Sequence, residues 1–192
     1  METYLIGYGT LLNRGSLGTS IGQSSARGKS LMSVVVRDYR RLFNLRPTHY
    51  ETSHRLNSEP IENAAMNIER APGLHFNGLA FRVKSEELER LDERERYYER
   101  QLVPMFSFET GKHVGEGHVY VSALDAPWIE RDVAKLMPLW RDVVWAREGA
   151  YKISDQFGRD FDATTYLADG ETFVFDRYGD LLQDVSDVAM PE

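Results

Sequence analysis

The most informative absence in this sequence is cysteine. None of the 192 residues is cysteine, so disulfide bonds, thiolate nucleophiles and cysteine-ligated zinc are excluded together. The chain also lacks an apolar run of about eighteen residues and an amino-terminal basic and apolar leader, which predicts no membrane segment and no secretion signal. We therefore expect a soluble, cytoplasmic protein with no membrane partner.

Positive charge is also scarce, since 23 lysines and arginines are set against 30 acidic residues and give a net charge of -7. The phosphates of a nucleic acid repel such a chain, so no nucleic-acid partner is predicted. One basic cluster departs from this balance and consists of Arg37, Arg40, Arg41 and Arg46. Because hydrophobic residues are threaded through it, the pattern predicts the solvent-facing side of a strand.

Several motifs of phosphate, hydrolase and metal chemistry are missing too. Gly28-Lys29-Ser30 lacks the glycine five residues earlier that a phosphate-binding loop needs, and no Gly-x-Ser-x-Gly elbow occurs. The histidine pairs are five residues apart, whereas a helical metal pair needs three or four. The sequence therefore predicts no metal and no cofactor.

The first positive signal lies at the amino terminus. Residues 4–6 have the aromatic and β-branched types that suit a short buried strand, and Gly7 and Gly9 then bracket Tyr8. Such a turn exposes several backbone N–H groups, which together can bind a carboxylate or a developing oxyanion. A Gly-Tyr-Gly turn is also typical of an ordinary strand end.

The second signal is an acidic helix. Ser85 is a candidate N-cap, and Leu88, Leu91, Asp92 and Glu95 then recur at helical spacing on the stripe that should face the core. A glutamate turned inward loses solvation, so its pKa rises and it can accept a proton near neutral pH. Asp92 would then accept hydrogen bonds from backbone amides beside it. The alternative is that the helix ends near Asp92 and Glu95 is solvated.

Length and element order predict a single α+β domain over residues 1–192, in which the part from about 125 onward is a helical extension and tail. Strands are predicted at 4–6, 31–46, 64–68, 75–83, 101–108, 118–122 and 173–175, with turns at 71–73, 109–112 and 178–180. Residues 13–30 and 47–62 are predicted to be loops, although 13–30 could include a helical turn, and 157–169 is ambiguous. Helical spacing runs over 128–146, with a break at Pro138.

The two signals together resemble the gamma-glutamylcyclotransferase-like family. That family has a Tyr-Gly-Ser-x-Leu loop after its first strand and a Leu-Asp-x-x-Glu-Gly helix end followed by a tyrosine. The corresponding residues here are Tyr8-Gly9-Thr10-Leu11, Leu91-Asp92-x-x-Glu95 and Tyr98. The chain departs from the family pattern at Thr10, which replaces serine, at Arg96, which replaces glycine, and in the short spacing from Glu95 to Tyr98.

The resemblance implies a small mixed β-barrel with packed helices and an enzyme that needs no metal or cofactor. Glu95 would be the general base that deprotonates the substrate's α-ammonium group. Tyr8, Gly9, Thr10, Leu11 and Tyr98 would bind a small-molecule γ-glutamyl substrate, which cyclises to 5-oxoproline and releases an amine or amino acid. Glutathione, a γ-glutamyl amino acid and a γ-glutamyl amine all remain open as substrates. A non-catalytic ligand-binding or regulatory module is the alternative.

Overall fold

The computed structural model describes residues 2–46, 54–56 and 59–184. The strands are β1 (Thr3–Gly7), β2 (Leu31–Leu45), β3 (His54–Leu56), β4 (Glu59–Val83), β5 (Glu99–Ser107), β6 (His113–Val121), β7 (Leu136–Pro138) and β8 (Thr165–Tyr166). The α-helices are α1 (Arg14–Ile21), α2 (Gln23–Arg27), α3 (Ser85–Arg94), α4 (Trp140–Ile153), α5 (Asp155–Ala163) and α6 (Val174–Asp184), and Thr10–Leu12 forms a 3-10 helix. Within these described ranges, no helix is both long enough and apolar enough to cross a membrane.

Five of the strands close into a barrel. Their order is β4-β1-β6-β5-β2, and β2 pairs with β4 to complete the circle. The β1–β6 pair is parallel, whereas the other four pairs are antiparallel. The α+β class and the small mixed barrel with packed helices are therefore confirmed.

Helices α1, α2 and α3 cover one outer face of the barrel. Leu17 and Ile21 of α1 and Leu91 of α3 are almost fully buried against Leu5 and Phe81 of the barrel strands. Each such side chain contributes about 1.5–3 kcal/mol when it is buried. Helices α4 and α5 come from the carboxyl-terminal part of the chain. Their apolar residues pack in a second core cluster, which also contains Ile6 and Phe43.

The predicted loop at 13–30 is wrong, because α1 and α2 occupy it. Asn13 caps α1 by accepting a hydrogen bond from the Gly15 amide at 2.9 Å. Leu17 and Ile21 then lie one turn apart on its buried face. The glycines and serines of this stretch favour a loop by local propensity, but packing against the rest of the fold stabilises a short helix.

The region after β2 also differs from prediction. The predicted turn at 71–73 is a bulge inside the continuous strand β4, where Asp38 of β2 adopts φ 62° and accepts a hydrogen bond from the Gly73 amide at 2.9 Å. Part of the predicted loop at 47–62 is the hairpin of β3 and β4. The rest of that prediction, residues 47–53 and 57–58, lies outside the described residues.

The carboxyl-terminal predictions need the largest correction. Pro138 ends β7, which pairs with β4, and α4 begins only after it, so the helix predicted over 128–146 is wrong in its first half. The ambiguous stretch 157–169 contains most of α5 and all of β8. The strand predicted at 173–175 is reduced to one antiparallel bridge between Phe173 and Tyr166. From Val174 onward, α6 replaces it and the turn predicted at 178–180, and Phe175 and Tyr178 pack on the core at helical spacing.

The acidic helix α3 begins where predicted, but Lys84 and not Ser85 is its N-cap. Glu87 accepts a hydrogen bond from the Lys84 amide at 2.9 Å and from Lys29 Nζ at 2.5 Å. The Glu87 side chain is buried. The ion pair compensates for the loss of solvation of this carboxylate. The hairpin of β5 and β6, with its turn at 109–112, is confirmed.

We expect Gly149→Ala to destabilise the fold. Gly149 lies where α4 crosses the 3-10 helix, and a Cβ there would be 2.5 Å from the carbonyl carbon of Leu12 and 2.7 Å from the amide of Asn13. Backbone atoms must move to relieve this overlap, at a cost of about 1–3 kcal/mol. Thermal unfolding should show a melting temperature lower by roughly 2–12 °C.

Gly179→Ala is the matched control. Gly179 also lies in a helix, yet among the side chains that the structure describes an added Cβ would meet only Phe175 Cδ1, at 4.0 Å. Replacing an uncrowded helical glycine by alanine stabilises by about 0.5–1 kcal/mol. Equal melting temperatures for the two variants would contradict the proposed overlap at Gly149.

Candidate active site

A cavity of about 330 Å³ opens between the loop after β1, the end of α3 and the first turn of α4. Walls from β2 and β4 complete it, through Leu45 and Met66. All the residues predicted for the site line this cavity, namely Tyr8, Gly9, Thr10, Leu11, Glu95 and Tyr98. The structure thus brings together two stretches that lie more than eighty residues apart in the sequence.

The loop after β1 turns sharply into the 3-10 helix. At Gly7 the chain folds back so closely that a Cβ would lie 2.7 Å from Leu11 Cβ, which explains the need for glycine. Within the part of the chain that the structure describes, the amides of Gly9, Thr10 and Leu11 meet no hydrogen-bond acceptor. These N–H groups at the start of a helix are free to bind a ligand.

The orientation of this loop is fixed by Arg41 from β2. Its Nη1 donates to the carbonyl of Tyr8 at 3.2 Å and to the carbonyl of Asn77 at 2.9 Å. Since the carbonyl and the N–H of a trans peptide point in opposite directions, this bond turns the Gly9 N–H away from the guanidinium. Arg41 is therefore a positioning residue for an amide that lines the cavity.

Arg41 was predicted to lie on the solvent-facing side of a strand, and that prediction is wrong. Its side chain is fully buried and also donates to Asn77 Oδ1, Thr164 Oγ1, Thr165 Oγ1 and the carbonyl of Phe161. Burial lowers its pKa to about 9 despite the opposing charges of Asp160 and Asp162, so Arg41 remains cationic at neutral pH. The negative end of the α5 dipole stabilises this charge.

Glu95 ends α3 as its C-cap residue. The side chain is 18% exposed, and Arg94 Nε lies 3.3 Å from its Oε1. Burial raises the pKa of Glu95, and the charge of Arg94 offsets this rise only in part. Arg94 also reaches the loop, because its Nη2 lies 3.5 Å from Thr10 Oγ1. A carboxylate of this kind can accept a proton from a ligand bound in the cavity.

Tyr98 returns to the same cavity because its amide donates to the carbonyl of Glu95 at 2.8 Å and closes a tight turn. Its hydroxyl donates to the carbonyl of Met66 at 2.8 Å. Burial, followed by the charges of Glu95 and Asp142, raises the pKa of Tyr98, so the hydroxyl remains protonated. With its proton committed to Met66, the oxygen can still accept a hydrogen bond.

A chain of hydrogen bonds ties the loop to α3. The Tyr8 hydroxyl donates to the carbonyl of Tyr120 at 2.7 Å, and the Tyr120 hydroxyl donates to Asp92 Oδ1 at 2.8 Å. Asp92 also pairs with Arg100 at 2.6 Å. Asp92 was expected to accept from neighbouring backbone amides, and this expectation is wrong. Because the proton of the Tyr8 hydroxyl is donated to Tyr120, this hydroxyl can act towards a ligand only as a hydrogen-bond acceptor.

Sequence reasoning missed Asp142, which lines the cavity from the first turn of α4. Its side chain is 20% exposed, and burial raises its pKa against the opposing charges of Arg141 and Arg94. The predicted helix over 128–146 had placed this residue inside a helix with no special environment. Since α4 begins only after Pro138, no local signal in the sequence marks Asp142 as part of the site.

Comparison with known families identifies the architecture. The family described as "Gamma-glutamyl cyclotransferase, AIG2-like" matches residues 5–135, which is well over half of the chain. The chain belongs to this family, as the resemblance of the two motifs predicted. A comparison with curated proteins returns no significant match.

Solved structures of the same fold agree with the family match. A structure titled "Gamma-glutamyl cyclotransferase" has a TM-score of 0.60 at 14% identity, and the alignment covers 96% of this chain and 99% of that one. An uncharacterized protein from Homo sapiens, loc79017, gives 0.62 at 15% identity, with 95% and 98% covered. YkqA from Bacillus subtilis gives 0.60 at 15% identity, with 82% of this chain and 52% of YkqA covered. The TM-scores establish a shared fold, and identities this low extend the likeness no further than the fold.

Proposed function

We propose that this protein is a gamma-glutamylcyclotransferase that converts a small γ-glutamyl compound into 5-oxoproline and an amine or amino acid. The observation that carries the proposal is the position of Glu95. This carboxylate is largely buried and lines the same cavity as the amides of Gly9, Thr10 and Leu11. A base and a set of oxyanion donors are the two elements that acyl transfer to an amine requires.

In the proposed reaction, Glu95 takes a proton from the substrate's α-ammonium group. The freed amine attacks the γ-carbonyl carbon of the same molecule, and negative charge develops on the carbonyl oxygen. The loop amides donate hydrogen bonds to that oxygen. When the tetrahedral intermediate collapses, the bond to the departing nitrogen breaks and Glu95 returns its proton to that nitrogen. The second proton of the ring nitrogen passes to the released amine, which leaves as an ammonium ion, so the lactam keeps one N–H. The five-membered lactam then leaves together with the released amine.

The cavity also supplies orientation. The nucleophile and the electrophile belong to one molecule. Binding of the folded γ-glutamyl conformer therefore fixes its torsion angles in the reactive geometry before the bond forms, and the entropy cost of reaching that geometry is met on binding. The rigid attachment of Tyr8 through Tyr120 and of the Tyr8 carbonyl through Arg41 holds the loop in place for this purpose.

A substrate panel tests the proposal. The purified protein is incubated with glutathione, a γ-glutamyl amino acid and a γ-glutamyl amine, and 5-oxoproline is measured by chromatography. We expect release from at least one compound and none from its α-glutamyl isomer, which presents no γ-carbonyl amide to the amine. Binding of these compounds without any release of 5-oxoproline would instead support the ligand-binding module.

A further inference from the structure

The cavity has a second acidic wall that lies outside the region matched by the family. Asp142 follows residue 135, where that match ends, and enters the cavity from α4. It faces the same space as Glu95 and Tyr98, which come from the end of α3 and the turn after it. Two partly buried carboxylates on different elements thus border one small cavity, whose lining also includes the exposed Glu93.

The position of α4 does not by itself explain this side chain. An acidic residue in the first turn stabilises any helix through the dipole, but a solvent-exposed position provides that benefit without the cost of burial. The ion pair of Asp142 is with Arg141, its neighbour in the chain, at 3.3 Å, and half of the Arg141 side chain is exposed. Exposed pairs of this kind contribute little. A cationic ligand would compensate for the burial of Asp142.

Glu95, Asp142 and Tyr98 line one cavity and are close enough for their charges to interact. The Tyr98 hydroxyl feels the negative charges of both Glu95 and Asp142, and the positive charge of Arg94 acts on both carboxylates. The oxygen of Tyr98 can accept a hydrogen bond, because its own proton is donated to Met66. Glu95, Asp142 and Tyr98 are thus three partly or fully buried acceptors at the cavity wall, and a primary ammonium group has three N–H donors.

Building on the proposed cyclisation, we infer that Asp142 is a substrate-binding residue that accepts a hydrogen bond from the α-ammonium group of the γ-glutamyl compound. Glu95 takes one proton from this group, while Asp142 and Tyr98 hold the remaining N–H bonds. The lone pair that is released then points along a fixed direction. The site accordingly selects compounds with an unblocked primary amine and is indifferent to the charge of the departing half.

The test compares two ligands that differ only in the ammonium group. γ-Glutamylbutylamide and glutarylbutylamide, which lacks the α-amine, are titrated by calorimetry into Glu95→Gln protein with and without Asp142→Asn. We expect Asp142→Asn to weaken γ-glutamylbutylamide binding by about tenfold to a hundredfold. Its effect on glutarylbutylamide should stay within about twofold. Equal weakening of both ligands, or of neither, would overturn the assignment.

Steady-state kinetics provides a second readout in protein that retains Glu95. With butylamine, alanine and 1,4-diaminobutane as departing groups, Asp142→Asn should lower kcat/KM by the same factor for all three. A loss confined to the cationic departing group would place Asp142 against the other half of the substrate and reject the inference. Asp155→Asn is the matched control, because Asp155 occupies the first turn of α5 and is exposed.

The two proposals can fail separately. Calorimetry involves no turnover, so ammonium-dependent binding that requires Asp142 would stand even if no 5-oxoproline were ever formed. Conversely, 5-oxoproline formation that is unaffected by Asp142→Asn would uphold the cyclisation and reject the role of Asp142.

Discussion

Replacing Glu95 with glutamine should abolish most 5-oxoproline formation while leaving the fold intact. A positioned general base accelerates proton transfer by about 10²–10⁴-fold, and the amide of glutamine cannot take the proton of an ammonium group. Glutamine has nearly the same shape, and Glu95 caps α3 through its backbone. We therefore expect kcat to fall by at least about a hundredfold with an unchanged melting temperature.

The pH dependence of the native protein should carry the signature of the same residue. Glu95 must be ionised to act as a base, and burial raises its pKa above the ordinary value of 4.5. Activity should therefore be lost as the pH falls through this raised pKa, and the acid limb should disappear from any residual activity of Glu95→Gln. Glu89→Gln, an exposed change on the same helix, is the control. Undiminished turnover by Glu95→Gln would reject the mechanism.

The largest effect on stability is expected from Arg41→Met. This change removes six hydrogen bonds at once, among them those that Arg41 donates to the carbonyls of Tyr8 and Asn77 and to Asn77 Oδ1. Each buried polar group left unpaired costs about 1–3 kcal/mol, and a protein has only about 5–15 kcal/mol of stability in total. The variant should melt at least about 10 °C lower or fail to fold, as circular dichroism would show.

Two further variants separate the charge of Arg41 from its geometry. Arg41→Lys keeps the positive charge but has three donors where the guanidinium has five, so it should be intermediate in stability. If it folds, a displaced Tyr8 carbonyl should weaken oxyanion binding and lower kcat more than it raises KM. Arg37→Met, an exposed change on the same strand, removes a stacking contact with Phe106 and a hydrogen bond to the Gly111 carbonyl, so it should cost about 1 kcal/mol. Equal stability of Arg37→Met and Arg41→Met would contradict the role given to Arg41.

Much of the site's framework could be predicted because its signals are local. The glycine turn at residues 7–9 and the helical spacing that leads to Glu95 are patterns within a dozen residues, and each lies at the cavity as expected. The barrel followed from the resemblance of these motifs to a family. The β5–β6 hairpin was visible from its turn and flanking strands.

The remainder depends on contacts that no local pattern records. Arg41 has a neighbouring arginine and looks solvated, yet it is covered by α5 and β8, which lie about 120 residues away. Glu87 looks like an ordinary charge of the first helical turn, but Lys29 and α2 bury it. The position of Asp142 could be predicted only from the true start of α4. The apolar residues continue at helical spacing across Pro138, so the sequence does not show where α4 begins.

The bond network of Arg41 also sets an order of events during synthesis. The loop after β1 is synthesised before the residues that anchor it, because the bonds of Arg41 are complete only after Thr165 has been made, 124 residues beyond Arg41. A nascent chain that ends before α5 would contain Tyr8, Glu95 and Asp142, yet it would lack three of the acceptors that Arg41 requires. The activity proposed for this cavity would thus depend on completion of the carboxyl-terminal helices, although Asp142 is the one described residue of those helices that lines the cavity.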